Sequence, residues 1–389
     1  MIYVHVPFCR SFCTYCDFYS EVALRCRKAE DAAKQESLFK DFAQALACEV
    51  RFRAEEITDD VNTLYIGGGT PSVLPLSAFQ TLLDALQSAG HPGPFEEFTV
   101  EVNPEDIVEK GQEYVAGLLD MGVNRISMGV QSFDDSVLKF MNRRHDSATA
   151  RKAYGILEEA GVKNISVDLI FGLPQLSSSQ WSETLKRALD ISSRDVLPQH
   201  ISSYQLSVEP GSMLARLVEK GAWCEASDEL CQEQYSVLCS VLASAGYHHY
   251  EISNFAQPGH EARHNSAYWR HIPYVGLGPG AHSYACGNLA SQRRWNHPDL
   301  QSYIKAAGTG DFASVSDGEI LDSEQLTLER IMLGLRTSAG LPESYLRANC
   351  DQIALSRALS AGHLVCVGPN LRIPESNFFI SDSIISALV

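Results

Sequence analysis

Short apolar runs alternate with longer amphipathic stretches through the first two-thirds of this chain. The runs predict six strands, at residues 2–6, 63–66, 98–102, 125–130, 165–171 and 200–206. The stretches between them predict helices at about 38–56, 76–89, 104–121, 147–160 and 178–191. After the second run the strands recur at roughly the spacing of one β/α unit, which limits the chain to a small number of folds.

Strands that alternate with helices pair in parallel and are joined by right-handed crossovers. Six such units are too few for a closed eight-unit barrel, so we predict an α/β fold built on a partial (β/α)6 TIM-like barrel. A flat, doubly wound sheet is the alternative that the pattern leaves open. In a barrel, functional groups are expected at the carboxyl ends of the strands.

The chain changes in character after the sixth predicted strand. A predicted helix at 228–245 precedes a segment, residues 247–295, that is rich in glycine, histidine and aromatic residues. The tail predicts helices at 323–338 and 351–361, and then a hairpin in which residues 364–367 and 371–373 flank a Gly-Pro-Asn turn. We therefore divide the chain into a barrel domain at 1–225, a barrel extension at 226–310 and a small C-terminal winged-helix-like α+β domain at 311–389.

Composition excludes some classes of binding partner and indicates the cellular compartment of the protein. The formal net charge of −17 argues against nucleic acid, because phosphate binding needs a basic surface. The first residues do not resemble a signal peptide, and no apolar run has the length of a membrane span, so we expect a cytoplasmic protein. Eleven cysteines at irregular spacing do not suit a disulfide framework. In a reducing compartment, clustered cysteines more often bind metal.

Three cysteines follow the first predicted strand in the spacing Cys9-x-x-x-Cys13-x-x-Cys16. Thiolates this close can hold three irons of a [4Fe-4S] cluster and leave the fourth iron without a protein ligand. That open iron could chelate the amino and carboxylate groups of S-adenosylmethionine (SAM). A structural zinc site is the alternative, and it would need a fourth ligand such as His5.

Polar and glycine residues stand at the ends of later predicted strands. Gly67-Gly68-Gly69-Thr70-Pro71 closes the second strand, and glycine lets a backbone approach a ligand closely. Glu101, Gln131 and Asp168 end or interrupt three further apolar runs. Because the carboxyl ends of the strands meet at one mouth of a barrel, these side chains predict a ligand site there.

The segments Tyr3-Val4-His5-Val6-Pro7-Phe8-Cys9 and Cys16-Asp17-Phe18-Tyr19-Ser20 resemble the opening of the radical-SAM family. More narrowly, nearly the whole chain resembles the branch that contains oxygen-independent coproporphyrinogen III dehydrogenase and the heme chaperone HemW. This resemblance implies a [4Fe-4S] cluster on the three cysteines, bound SAM and an electron donor for the cluster. It also implies SAM contacts at Tyr3, Tyr15, Gly68, Gly69, Thr70, Glu101, Gln131, Arg143 and Asp168. For Arg143, which is followed by Arg144, an exposed surface arginine is the alternative.

Two features separate the chaperones from the dehydrogenases of this branch. The dehydrogenases carry a further cysteine two positions after the third cluster cysteine, where this chain has Phe18. The chain also begins two residues before Tyr3, which we interpret as lack of the dehydrogenase extension. Both departures argue against decarboxylation of a porphyrinogen.

The segment His264-Asn265-x-x-Tyr268-Trp269 is similar to a motif typical of HemW. The resemblance therefore implies a heme chaperone that passes heme to an acceptor protein, either soluble or membrane-associated. Imidazole is a common axial ligand of heme iron, so His264 is the candidate heme contact. A histidine that only orients its loop through hydrogen bonds is the alternative. The alternative functions are an oxygen-independent coproporphyrinogen III oxidase and a radical-SAM or iron–sulfur protein that binds no porphyrin.

Overall fold

A mostly parallel sheet forms the centre of the molecule. The structure is a computed structural model that describes residues 1–22, 29–57, 62–194, 196–286 and 291–389. Its six central strands are β1 (Ile2–Val6), β2 (Thr63–Gly68), β3 (Glu97–Val102), β4 (Arg125–Gln131), β5 (Ile165–Phe171) and β6 (His200–Gln205). They lie side by side in chain order, and every adjacent pair is parallel. A doubly wound sheet would reverse its strand order at a switch point, and these six strands do not. The predicted partial barrel is therefore confirmed.

Three short strands that the sequence did not predict extend both edges of the sheet. They are β7 (His248–Glu251), β8 (Asn254–Ala256) and β9 (Val275–Leu277). β9 pairs in parallel with β1, whereas β8 pairs antiparallel with β6 and β7 antiparallel with β8. Strands of three or four residues are too short to show a clear period, which explains why they were missed.

Amphipathic helices connect the strands and cover the outside of the sheet. They are α1 (Ala29–Phe52), α2 (Leu76–Ser88), α3 (Pro104–Asp120), α4 (Asp135–Phe140), α5 (Ser147–Ala160) and α6 (Ser178–Leu189). Local signals set their ends: the Asp146 side chain accepts from the backbone of α5, and Ser177 forms a capping box with Gln180 at α6. The predicted helices are confirmed except at α1, which begins nine residues earlier, because its first turns are polar.

The remaining helices follow β6. They are α7 (Met213–Glu219), α8 (Asp228–Ser244), α9 (Arg263–Trp269), α10 (Leu300–Thr309), α11 (Ser323–Leu335), α12 (Glu343–Asn349), α13 (Gln352–Ser360) and α14 (Ser381–Leu388). Short 3-10 helices cover Ala54–Glu56, Pro71–Val73, Phe312–Val315 and Glu375–Ile380. Within the described ranges, no helix is both long and apolar enough to cross a bilayer.

A two-residue parallel pair, Phe8–Cys9 with Glu21–Val22, and two small antiparallel sheets lie outside the central sheet. One contains β10 (His282–Cys286), β11 (Ser291–Asn296) and β12 (Ser316–Leu321), and the other contains β13 (Leu341–Pro342), β14 (Val365–Val367) and β15 (Asn370–Arg372). β14 and β15 form the predicted hairpin, with Val367 opposite Asn370 and a positive φ of 59° at Gly368. Helices followed by this hairpin give the C-terminal part its predicted winged-helix-like character. The division into domains at 225/226 and 310/311 stays a prediction.

A buried carboxylate joins α1 to the segments beyond the sheet edge. Glu49 is fully buried and accepts hydrogen bonds from the Gly278 N–H at 2.8 Å, the Asn296 amide at 2.7 Å and the Tyr303 hydroxyl at 2.6 Å. Arg53, one turn later, lies 3.8 Å from the same carboxylate. Burial raises the pKa of Glu49, so these contacts are needed to offset the cost of placing a carboxyl group in the core.

We expect Glu49→Ala to lower the free energy of unfolding by about 2–5 kcal/mol, because it leaves buried donors without an acceptor. Urea unfolding followed by circular dichroism measures this change. Glu55→Ala, on the exposed side of the following 3-10 helix, is the control and should change little. Equal unfolding midpoints for the two variants would contradict this role of Glu49.

Candidate cofactor site

A cavity of about 420 Å³ lies at the carboxyl ends of the six central strands. All the predicted cluster and SAM residues except Tyr3 line this cavity: Cys9, Cys13, Tyr15, Cys16, Gly68, Gly69, Thr70, Glu101, Gln131, Arg143 and Asp168. The structure therefore brings together residues that are up to 159 positions apart in the sequence.

The loop that carries the three cysteines is held from one side by the segment after α4. The Asn142 amide donates to the Phe12 carbonyl at 2.6 Å, and the Thr14 N–H donates to the Met141 carbonyl at 3.2 Å. The Leu214 N–H, at the start of α7, donates to the Thr14 carbonyl at 2.8 Å. These bonds fix the loop across the mouth of the cavity.

The three thiols are free and partly exposed, as ligands for an added metal must be. Thr70 Oγ1 lies 3.5 Å from Cys9 Sγ, and Arg143 Nη1 lies 3.4 Å from Cys13 Sγ. Donors aimed at sulfur stabilise thiolates, so the donor set fits a thiolate-bound cluster. Burial raises the pKa of the Cys9 thiol, and it raises that of Cys16 to about 12. Iron would therefore have to displace protons on binding.

No group of three or more His, Cys, Asp and Glu side chains in the described part of the chain is arranged to hold a metal ion.

The glycine turn after β2 packs directly against the end of β1. The Gly69 N–H donates to the Val6 carbonyl at 2.8 Å, and the Thr70 N–H donates to the Phe8 carbonyl at 2.7 Å. Gly68 has a φ of +103°, and a Cβ at that position would lie 2.6 Å from the His5 ring. Only glycine fits there, so the turn can bring its backbone to the edge of the cavity.

A chain of hydrogen bonds crosses the cavity wall. Arg143 Nη2 donates to the Asn103 side chain at 2.6 Å and to the Gly129 carbonyl at 2.7 Å. The Asn103 amide in turn donates to Thr70 Oγ1 at 3.1 Å. Arg143 is thus held in the wall of the cavity by these acceptors, and its contact with SAM stays a prediction.

Two acids on strands that flank β4, Glu101 on β3 and Asp168 on β5, face the cavity with raised pKa values. Glu101 accepts from the Tyr65 hydroxyl at 2.6 Å, and burial raises its pKa to about 7. Asp168 accepts from the hydroxyls of Ser127 at 2.8 Å and Ser166 at 3.0 Å, and burial raises its pKa as well. A protonated carboxyl group can both accept and donate hydrogen bonds, which suits hydroxyl and amino groups of a ligand.

Gln131 ends β4 in a strained conformation. Its φ is +68°, and the register between β4 and β5 shifts between Gly129 and Gln131. A left-handed conformation at a residue other than glycine is uncommon and often marks a functional position. Here it accompanies a side chain that lines the cavity.

Tyr3 and His264 lie outside the cavity lining. The Tyr3 hydroxyl lies 3.1 Å from His5 Nδ1, within β1. His264 is fully buried in α9, with Nδ1 2.9 Å from Thr63 Oγ1 and Nε2 3.0 Å from the Tyr268 hydroxyl. Burial lowers the pKa of His264 to about 3, so its imidazole is neutral. Both ring nitrogens are engaged, and the heme contact predicted for His264 stays a prediction.

Several polar residues of the cavity were missed in the sequence. Asn103 follows the end of β3, and the strand interiors contribute Arg125, Ser127, Ser202 and Tyr204. Arg125 and Ser127 alternate with Ile126 and Met128, so a two-residue period within that predicted strand could have identified them. Ser202 and Tyr204 stand in a run of polar residues that gives no such signal.

Comparison with known proteins agrees with the fold. Residues 3–188 match the Radical SAM superfamily model. The structure of coproporphyrinogen III oxidase (HemN) from Escherichia coli, a Radical SAM enzyme, matches with a TM-score of 0.80 and 22% identity, over 99% of this chain and 89% of that chain. The fold and the site thus define a radical-SAM protein, and membership of this superfamily implies a [4Fe-4S] cluster and SAM.

Two relatives identify the family within this superfamily. Heme chaperone HemW from Synechocystis sp. is 33% identical over 87% of this chain and 78% of its own length. Heme chaperone HemW from Mycobacterium tuberculosis is 32% identical over 100% of this chain and 94% of its own length. This chain belongs to the HemW family.

We expect stability of the cofactor-free protein to fall as pH rises, in part because of Glu101. A carboxyl group whose pKa is raised from 4.5 to about 7 in the folded state contributes stability below pH 4.5, and this is lost as the pH rises through 7. Glu101→Gln removes that titration and should flatten the decline between pH 5 and pH 8. Urea unfolding at each pH measures it.

Glu113→Gln, on the exposed face of α3, is the matched control and should keep the wild-type slope. Identical slopes for wild type and Glu101→Gln would show that Glu101 does not titrate in this range.

Proposed function

We propose that this protein is a heme chaperone, which binds heme together with a [4Fe-4S] cluster and SAM and passes the heme to an acceptor protein. The observation that carries the proposal is the similarity to HemW from Mycobacterium tuberculosis across 100% of this chain and 94% of that protein. Phe18 supports it, because this side chain, 63% exposed, lies at the cavity where the dehydrogenases are expected to carry a fourth cysteine.

Cys9, Cys13 and Cys16 are proposed to hold three irons of the cluster. When bound, the cluster supplies an open iron for SAM and an electron from an external donor protein. The hydroxyl of Thr70 and the guanidinium of Arg143 then stabilise the thiolates, since they already lie against two of the sulfurs. Both donors belong to the hydrogen-bond chain through Asn103, so the loop and the wall hold their geometry together.

The remaining cavity residues are proposed to orient SAM. The Glu101 carboxyl lies beside the glycine turn and suits the methionine amino group. Asp168 and Gln131, on the next two strands, suit the ribose hydroxyls. Tyr15 lies within the cysteine loop, where its ring can cover the ligand. Tyr3 would act at longer range, since it touches His5 and not the cavity.

Changing Cys9, Cys13 and Cys16 to Ala should abolish the visible absorbance of the reconstituted cluster and reduce bound iron from about four per chain to near zero. Iron analysis and absorbance after anaerobic reconstitution measure this loss. Cys366→Ala changes an exposed cysteine of the C-terminal hairpin and should leave the iron content at the wild-type value. Full iron content in the triple variant would refute cluster binding by this loop.

Titration of the reconstituted protein with hemin tests the chaperone function. We expect a shifted Soret band that saturates at about one heme per chain. His264→Ala and Trp269→Ala should weaken binding, whereas His248→Ala, a largely exposed histidine, should not. If wild type gives no Soret shift, the proposal fails. If wild type and His264→Ala bind equally, only the assignment of His264 fails.

The same preparation tests the alternative, an oxygen-independent coproporphyrinogen III oxidase. Anaerobic turnover of coproporphyrinogen III with SAM and a reductant would favour that enzyme. The cytoplasmic location and the acceptor, soluble or membrane-associated, stay predictions.

A further inference from the structure

Arg125 is a buried positive charge that forms no ion pair with the residues the structure describes. It opens β4, lines the cavity and is only 1% exposed. Its Nε has no hydrogen-bond partner, and no carboxylate among the described residues forms an ion pair with its guanidinium. Arginine stays protonated inside proteins, and an unpaired buried charge is strongly unfavourable. The guanidinium therefore needs an anion that the described residues do not supply.

The acids nearest to Arg125 are poor counterions. Glu101 and Asp168 feel its charge, yet neither makes an ion pair with it. Glu101 instead accepts a hydrogen bond from the Tyr65 hydroxyl, and Asp168 accepts one from the Ser127 hydroxyl. Burial raises the pKa of both carboxyl groups, which favours their neutral form. Neither carboxyl group therefore provides Arg125 with a directly paired negative charge.

The histidines near Arg125 do not help either. Burial lowers the pKa of His200 and of His264, and the charge of Arg125 lowers both further. Both imidazoles are neutral, and each is hydrogen-bonded to other side chains: His200 to Ser166 and Tyr250, and His264 to Thr63 and Tyr268.

Thr99 supplies a second unused polar atom beside Arg125. The two residues are register partners in the parallel pair β3–β4, so their side chains point to the same face. Thr99 Oγ1 is also buried without a hydrogen-bond partner within the described residues. A guanidinium and a hydroxyl side by side are a donor set for a carboxylate.

This donor set is separate from the proposed SAM contacts. Arg125 and Gln131 are the first and last residues of β4, which places their backbones about 20 Å apart along the strand. SAM is expected at the Gln131 end, beside the cysteine loop. The cavity nevertheless reaches Arg125, and Ser127 and Ser202 line it in between.

We propose that Arg125 and Thr99 form a carboxylate-binding subsite at the inner end of the cavity, and that it takes a second ligand beside SAM. The ligand carries its carboxylate on a chain that is narrow enough to reach into the interior of the barrel. The carboxylate could belong to a small organic acid or to a propionate side chain of a porphyrin. The subsite does not depend on the heme-chaperone function.

Sodium propionate is the probe for this subsite. Titrated against the full-length protein, it should raise the melting temperature saturably beyond the effect of sodium chloride at equal ionic strength, because a ligand that binds only the folded state stabilises it. In Arg125→Gln the apparent dissociation constant should rise at least tenfold. Arg216→Gln, an exposed arginine of α7, should respond as wild type does.

If Arg125→Gln does not fold, Thr99→Val tests the subsite instead, because it keeps the shape of the Thr99 side chain and the charge of Arg125. It should weaken propionate binding by a few fold. The proposal is overturned if propionate and chloride act equally on wild type, which would mean that water alone satisfies Arg125. An equal response of wild type and every folded variant would overturn it as well.

Hemin and hemin dimethyl ester distinguish the two sources of the carboxylate. If a porphyrin propionate occupies the subsite, the ester should bind wild type about tenfold more weakly than hemin, and Arg125→Gln should remove that difference. If a small acid occupies it, hemin and its ester should bind alike, and propionate should still stabilise the heme-bound protein. Absence of any Soret shift would defeat the chaperone proposal and leave the propionate result intact.

Discussion

The parallel pairing of β1 with β2 is the constraint on which the site depends. It sets Val6 opposite Gly68, so the cysteine loop and the glycine turn leave the sheet side by side. Backbone bonds from Gly69 and Thr70 to the end of β1 then continue the pairing beyond the strands. Because these are backbone contacts, the approach of Thr70 to the Cys9 sulfur follows from strand register more than from side-chain packing.

The interior of the barrel combines neutral acids with fixed cations. Burial raises the pKa of Glu101 and of Asp168, whereas the guanidinium groups of Arg143 and Arg125 carry a permanent positive charge. Arg143 lies against the cysteine loop, where anionic thiolates would balance it. Arg125 lies at the opposite end of β4, and no described residue forms an ion pair with it. Each end of the cavity therefore presents a positive charge that favours anionic groups.

The first five central strands could be predicted because each is a buried, largely apolar run that precedes helical sequence. The polar strand ends could be predicted for the same reason, since they interrupt those runs. The edge strands β7–β9 could not, because three or four residues carry no period. The surroundings of His264 could not either: its partner Thr63 is 201 residues away in sequence, and only the packing of α9 against β2 brings them together.

Electron paramagnetic resonance of the reduced, anaerobically reconstituted protein, recorded with and without SAM, tests the account most directly. The account predicts one [4Fe-4S] signal per chain whose g values change when SAM binds the open iron. A signal that is indifferent to SAM, or a protein that takes up zinc and no iron, would contradict it.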